Sequence, residues 1–263
     1  MIRSSFLGGG VGYALLRRFG AETALRGDHC SGNAYSNLSK LEVLLGKDIW
    51  EEIAGKKVLD FGCGGGEGAI EMAQHGARKV IGLDIVQEYL NEAVQRAKRN
   101  GVSDRCVFTT QYDGRVDVIL SIDGFEHYGD PGEILAIMRD FLHANGRVFI
   151  SFGPPWLHPY GGHLFSVFPW AHLIFTEKAL IRWRSDFKSD GATRFSEVKG
   201  GLNQMTVRRF EKLVGQSDFD IERLEAVPIR RLRSLRCAPT REFFTSTVRC
   251  VLRPKSGSGD KRK

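Results

Sequence analysis

The chain has 263 residues, 42% hydrophobic and 26% charged, with a formal net charge of +7. That is enough apolar material for one sizeable core with insertions, and the charged fraction is ordinary for a soluble protein. Five scattered cysteines without a C-x-x-C pair exclude a disulfide framework and a zinc site, so no metal is expected and a reducing, cytoplasmic setting is.

Met1–Gly20 makes a poor signal peptide, because Gly8, Gly9, Gly10 and Gly12 break its apolar part. To about Lys56 the chain reads as helices and loops, with Leu38, Leu41, Leu44 and Leu45 at helical spacing within Ser36–Trp50. Strands and helices then alternate. Strands are expected at Lys57–Phe61, Lys79–Asp84, Cys106–Thr110, Val116–Ser121 and Arg147–Phe152. Helices are expected at Glu67–His75, Val86–Arg99, stopped by Asn100–Gly101, and Pro131–Leu142. This alternation predicts a parallel, doubly wound sheet.

The rhythm breaks over 153–201, which is aromatic and holds Pro154, Pro155, Pro159 and Pro169; such a segment is expected to be a lid. Its most apolar part, Leu164–Phe175, falls far short of the roughly 20 residues of a spanning helix. In Trp156–His163 the aromatics and the paired Gly161–Gly162 suggest a bendable cover, and Phe165–Trp170 is either a pocket lining or core. Thr206–Gln216 is a helix capped by Thr206, and Phe219–Val227 and Phe243–Leu252 are two further strands. The domain layout expected is a helical cap over 1–56, a main domain over 57–253 with a lid insertion at about 153–201, and a disordered basic tail over 254–263.

The central motif is Val58-Leu59-Asp60-Phe61-Gly62-Cys63-Gly64-Gly65-Gly66: a buried strand, a glycine turn and a helix start. Glycine allows positive φ and close approach of a ligand to the backbone. The dinucleotide fingerprint G-x-G-x-x-G fails, since Glu67 stands where its third glycine belongs and a pyrophosphate would face a carboxylate. Asp60 precedes the turn, where a carboxylate can organise a cationic ligand end. Asp84 ends the second strand about twenty residues on, where it can accept both ribose hydroxyls or cap the next helix.

Here the chain resembles class I S-adenosylmethionine-dependent methyltransferases, of the type 11-like kind, over roughly Lys57–Phe152 and more loosely Thr206–Leu252. VLDFGCGGGEGAIEMA is similar to the family's glycine motif, VIGLDIVQEYLNEAVQRA to its second strand and ribose acid, and VDVILSIDGFEHYGDPGEIL to its fourth strand. The resemblance implies a Rossmann-like seven-stranded sheet with an antiparallel terminal strand and S-adenosylmethionine as cofactor. It implies cofactor contacts from Asp60, Gly62, Cys63, Gly64, Asp84, Ile85 and Ser121, with Asp113 near the adenine. The loop before the fourth strand is shorter than the family's, and Gln111 is the alternative to Asp113.

Methyl transfer is an in-line displacement that needs alignment first, and a base only if the acceptor must lose a proton. Glu126 and His127 follow the fourth strand, and His163 lies in the lid segment; these three are the candidate catalytic residues, Glu126 and His127 being equally able to shape the loop. Gly153-Pro154-Pro155-Trp156 resembles the motif of amide and base N-methyltransferases but follows the fifth strand, not the fourth, and is read as a stiff turn. From Arg230 to Arg253 seven arginines face one acid, Glu242. That is either a solvated basic edge or a surface for an anionic partner. A small-molecule or lipid-like acceptor is the leading expectation. An RNA or protein acceptor, a non-catalytic S-adenosylmethionine-binding scaffold and a nicotinamide oxidoreductase are the alternatives; nucleic acid is disfavoured for want of a recognisable binding module. No transmembrane segment is expected, a peripheral membrane contact stays open, and oligomeric state is not legible.

Overall fold

The computed structural model describes residues 6–25, 38–198 and 201–256. In chain order come α1 (Gly9–Leu25), α2 (Lys40–Leu45), α3 (Ile49–Ile53), β1 (Lys57–Phe61), α4 (Glu67–Gln74), β2 (Lys79–Leu83), α5 (Gln87–Arg99), β3 (Cys106–Thr109), β4 (Val116–Ile122), α6 (Pro131–Phe141) and β5 (Leu142–Phe152). After these come α7 (Ala171–Ile174), α8 (Glu177–Arg184), α9 (Val207–Gln216), β6 (Phe219–Pro228) and β7 (Thr245–Pro254), with short 3₁₀ turns between.

The seven strands lie in the order β3-β2-β1-β4-β5-β7-β6. The five strands from β3 to β5 pair in parallel, and β7 runs antiparallel to both of its neighbours. The expected doubly wound seven-stranded sheet is therefore present. Its antiparallel strand is last in the chain but sits inside the sheet rather than at its edge. Strand order reverses between β1 and β4, which opens a crevice at their carboxyl ends.

Side chains alternate across the sheet, as strand geometry requires. Leu59, Ile119 and Ile150 face one apolar layer with α6 and α9. Val58, Val118 and Phe149 face the other, under α2, α3 and α4. Parallel strands covered on both faces need the near-continuous apolar runs found here. Capping sets the helix starts: Ser39, Asp130, Thr176 and Thr206 each accept a backbone N–H one turn on.

Several boundaries differ from the sequence reading. The helix read around Ser36–Trp50 is two short helices, because Gly46 takes φ 94° and ends α2; Leu41 and Leu44 are buried and Leu38 is exposed. β5 starts at Leu142 rather than Arg147, with a register shift that tucks Gly146 against Leu142 and the Asp117 carbonyl. The basic tail begins later than expected. Pro254 belongs to β7, and the Lys255 ammonium donates to the Ser217 carbonyl at 2.5 Å. The expected disordered run from 257 onward lies outside the described residues.

Segment 153–198 is not without structure. Together with α1 it forms a third apolar cluster, centred on Leu16, Phe165, Leu180, Trp183 and Phe195. Gly20 lets α1 approach Trp183, whose ring would lie 2.8 Å from an added Cβ. Gly161 and Gly162 are likewise close-approach glycines, against the Pro155 and Trp156 carbonyls and the His172 side chain. Within the Phe165–Trp170 stretch Phe165 is buried core, whereas Phe168 and Trp170 are half-buried.

Candidate functional site

The turn after β1 is built by three glycines at positive φ: Gly62 at 81°, Gly64 at 50° and Gly66 at 80°. Gly62 N–H and Cys63 N–H both donate to the Leu83 carbonyl, which locks the turn to the end of β2. Gly66 is where α4 and α5 meet: a Cβ there would lie 2.7 Å from Ala93 Cβ and 2.9 Å from the Phe108 ring. Gly64 has nothing within 4 Å of its missing Cβ, so the turn presents open backbone at that point.

Asp84 joins turn and strand. Its Oδ2 accepts from Gly64 N–H at 2.8 Å and its Oδ1 from Val86 N–H at 2.9 Å. The helix-start role and the site-facing role therefore coexist, because a carboxylate has acceptor capacity for about four hydrogen bonds. Beside it Ile85 is 92% exposed, an apolar side chain presented at the crevice mouth. Cys63 is buried, and burial pushes its thiol well above the ordinary range, so it is no nucleophile.

Asp60 is buried, and desolvation raises its carboxyl to about 7, opposed by the Lys40 charge. Lys40, at the start of α2, pairs with Asp123 Oδ2 at 2.7 Å. Asp123 ends β4 with φ 52°, a left-handed conformation that aspartate tolerates better than most residues. Ser121 is buried and bonds the Tyr128 hydroxyl at 2.8 Å; that hydroxyl also lies 3.4 Å from the Phe61 carbonyl. Tyr128 thus spans the ends of β1 and β4 at the switch point.

The three candidate catalytic residues differ in standing. Glu126 is buried, accepts from Gly153 N–H at 3.2 Å, and is raised to about 8 by burial and by Asp123. Both effects favour its neutral form. His127 Nδ1 lies 2.7 Å from the Gly201 carbonyl and donates to it, which turns Nε2 away from that carbonyl. His163 stands edge-on to it, ring centroids 5.4 Å apart, and burial lowers its imidazole to about 4. The fold therefore brings His127 and His163 together from distant parts of the chain.

Asp113 is not brought to this cluster. It is exposed and follows Tyr112, whose ring packs on Phe141 and under Lys57, at the opposite ends of the strands. Gln111 stays at the site edge, its backbone tied to the Thr109 hydroxyl. Glu67 pairs with Arg96, which places an acid at the first turn of α4 where its charge suits the helix end. Lys40 and Tyr128 border this cluster, and the Asn203 amide donates to the Phe125 and Tyr128 carbonyls at 2.6 and 2.8 Å; the sequence reading singled out none of the three. Tyr128 lies within the quoted fourth-strand motif, whereas the others carry no local signal.

A strand–glycine turn–helix with an acid ending β2, on a sheet of this order, defines the Rossmann-like class I S-adenosylmethionine-dependent methyltransferase fold. The family described as a methyltransferase domain matches residues 34–224, and the chain belongs to that family. It is 38% identical over 103 residues to the ubiquinone biosynthesis O-methyltransferase of Escherichia coli O127:H6, covering 37% of this chain and 42% of that one. It is 34% identical over 112 residues to the ribosomal protein L11 methyltransferase of Photobacterium profundum, covering 42% and 37%. The matched stretches thus span less than half of either relative. The fold matches a putative S-adenosylmethionine-dependent methyltransferase from Listeria monocytogenes with TM-score 0.53 and 18% identity, covering 78% of this chain and 93% of that one. It also matches the [4+2]-cyclase SpnF with TM-score 0.53 and 15% identity, covering 80% of each.

No helix among the described residues is long and apolar enough to cross a membrane.

Proposed function

We propose that the chain transfers a methyl group from S-adenosylmethionine to a small-molecule acceptor, within a main domain spanning about 57–253. The observation that carries this reading is Asp84, clamped by Gly64 N–H so that its carboxylate faces the open glycine turn. When bound, the cofactor supplies an electrophilic methyl on a sulfonium centre. Asp84 accepts the ribose hydroxyls, Gly62 and Gly64 leave room for the ligand against the backbone, and Ile85 covers the adenine. Gln111 takes the adenine-side place expected of Asp113. Asp60, Ser121 and Tyr128 line the methionine end. His127 Nε2 accepts the acceptor's proton, held in orientation by the Gly201 carbonyl and the His163 ring. Glu126 holds the loop through Gly153 N–H and is not the base.

Because the same fold is found in a [4+2]-cyclase, fold alone does not set the reaction. A protein or RNA acceptor is the second reading; exposed Arg230, Arg231 and Arg233 and the L11 methyltransferase relative support it. The test is calorimetric titration with S-adenosylmethionine, S-adenosylhomocysteine and NADH, on the wild type and Asp84→Ala. Binding of the first two, lost in the variant, supports the reading. Binding of NADH alone would sink it.

A further inference from the structure

Beyond His127 and Tyr128 lies a cavity of about 330 Å³. Tyr128 is shared, since its hydroxyl meets Ser121 at the cofactor crevice while the residue also lines the cavity. The cavity wall carries two cations, Arg194 and Arg209, and one acid, Glu177. Glu177 accepts from Phe195 N–H at 2.5 Å, which holds its carboxylate in place and leaves its charge on the wall. Arg194 is matched by Glu197 at 3.0 Å. Arg209 is different: it donates to the Asn203 carbonyl, and among the described residues no carboxylate lies within ion-pair distance of it.

Arg209 also stands where a cation is unfavourable on its own account. It lies in the first turn of α9, which has no acid there, at the positive end of the helix. The N–H groups of that turn are already used: Glu242 accepts from Val207 and Arg208, and Thr206 from Arg209. What is left unmatched is therefore the guanidinium charge itself. Glu242 in addition ties the β6–β7 connection, which carries exposed Arg230, Arg231 and Arg233, to this helix end.

We infer that the acceptor carries an anionic group, a carboxylate or a phosphate, held by Arg209 in the cavity beside His127. This rests on the methyl-transfer reading above. A planar guanidinium suits either group through paired hydrogen bonds. Tyr128, Phe195 and Leu202 on the same wall leave room for an apolar body behind that anionic group.

The test uses protein saturated with S-adenosylhomocysteine at physiological ionic strength. Benzoate, phenyl phosphate and neutral benzamide are titrated by ligand-observed NMR into the wild type, Arg209→Gln and Arg208→Gln. At least one anion is expected to bind about tenfold more tightly than benzamide, with that margin lost in Arg209→Gln and kept in Arg208→Gln. Affinity for S-adenosylhomocysteine should stay unchanged in Arg209→Gln. Equal binding of benzamide, no effect of Arg209→Gln, or an equal loss in Arg208→Gln would each overturn the inference, the last by reducing it to a diffuse surface field. If S-adenosylhomocysteine itself fails to bind, the methyl-transfer reading fails, and the same titrations on the protein alone still show whether Arg209 holds an anion.

Discussion

The ammonium of Lys40 sits 2.7 Å from Asp123 Oδ2, so a side chain from α2 closes over the end of β4. Its charge also lowers the carboxyls of Asp60 and Glu126, which burial pushes up. Lys40 is thus the internal counter-ion of three acids around the crevice. Lys40→Met is expected to raise both carboxyls further. Affinity for S-adenosylmethionine should climb with pH through a midpoint near 7 in the wild type, as Asp60 ionises, and through a higher midpoint in the variant. Calorimetry across pH checks this, and an unshifted midpoint would remove Lys40 from the account.

Two glycines of one turn should behave differently. Gly66→Ala forces a Cβ against Ala93 and Phe108 at φ 80°. Its cost is about 2–5 kcal/mol, overpacking added to a left-handed backbone. Gly64→Ala, at φ 50° with open space around it, costs only about 1–2 kcal/mol. It should lower cofactor affinity more than it lowers stability. Thermal melts and calorimetry on both variants separate the packing glycine from the ligand-facing one.

Stability should pass through a maximum near pH 6.5. Burial lowers His158, His163 and His172 to about 4, so below the ordinary histidine pKa the unfolded chain binds more protons, and stability rises with pH. Asp60 and Glu126, raised to about 7 and 8, have the opposite sign: the folded chain binds more protons above the ordinary carboxylate range, and stability falls as pH rises toward their folded values. Below about pH 6.5 three histidines outweigh two carboxyls, and above it the carboxyls act alone. Glu126→Gln should flatten the descending limb in melting curves taken from pH 6 to 8. A limb of unchanged slope would mean Glu126 is ionised in the folded protein.

Tyr128→Phe removes the hydroxyl that joins Ser121 to the Phe61 carbonyl. The expected loss is about 1–2 kcal/mol of stability, since the Ser121 hydroxyl is left buried. Chemical denaturation measures it, and a loss under a few tenths would place solvent at that bond.

What the sequence disclosed was local. The glycine turn and Asp84 are legible because strand, turn and acid are contiguous, and the physics of positive φ and strand termination acts within a few residues. Lys40 is illegible, because its contact with Asp123 depends on how α2 is laid across the sheet. For Asp113 the short loop is itself legible and gives Gln111 as the alternative; the structure leaves Asp113 exposed beside Tyr112. Gly8 and Gly12 read only as breaks in an apolar run; their close approach to Thr176 and Ala179, like that of Gly20 to Trp183, exists only once α8 is in place. Element positions in the alternating region fell within a residue or so, except at β5, where the bulge around Gly146 leaves no compositional mark.

The pairing of α1 with α8 also has a consequence for synthesis. Tyr13 bonds Asp186, a residue 173 positions further along the chain. At translation speeds of about 5–20 residues per second, α1 leaves the ribosome roughly ten to thirty seconds before its partner. Throughout that interval the face bearing Leu16 has nothing of its own chain to rest on, and it is there that a chaperone would find this protein during its manufacture.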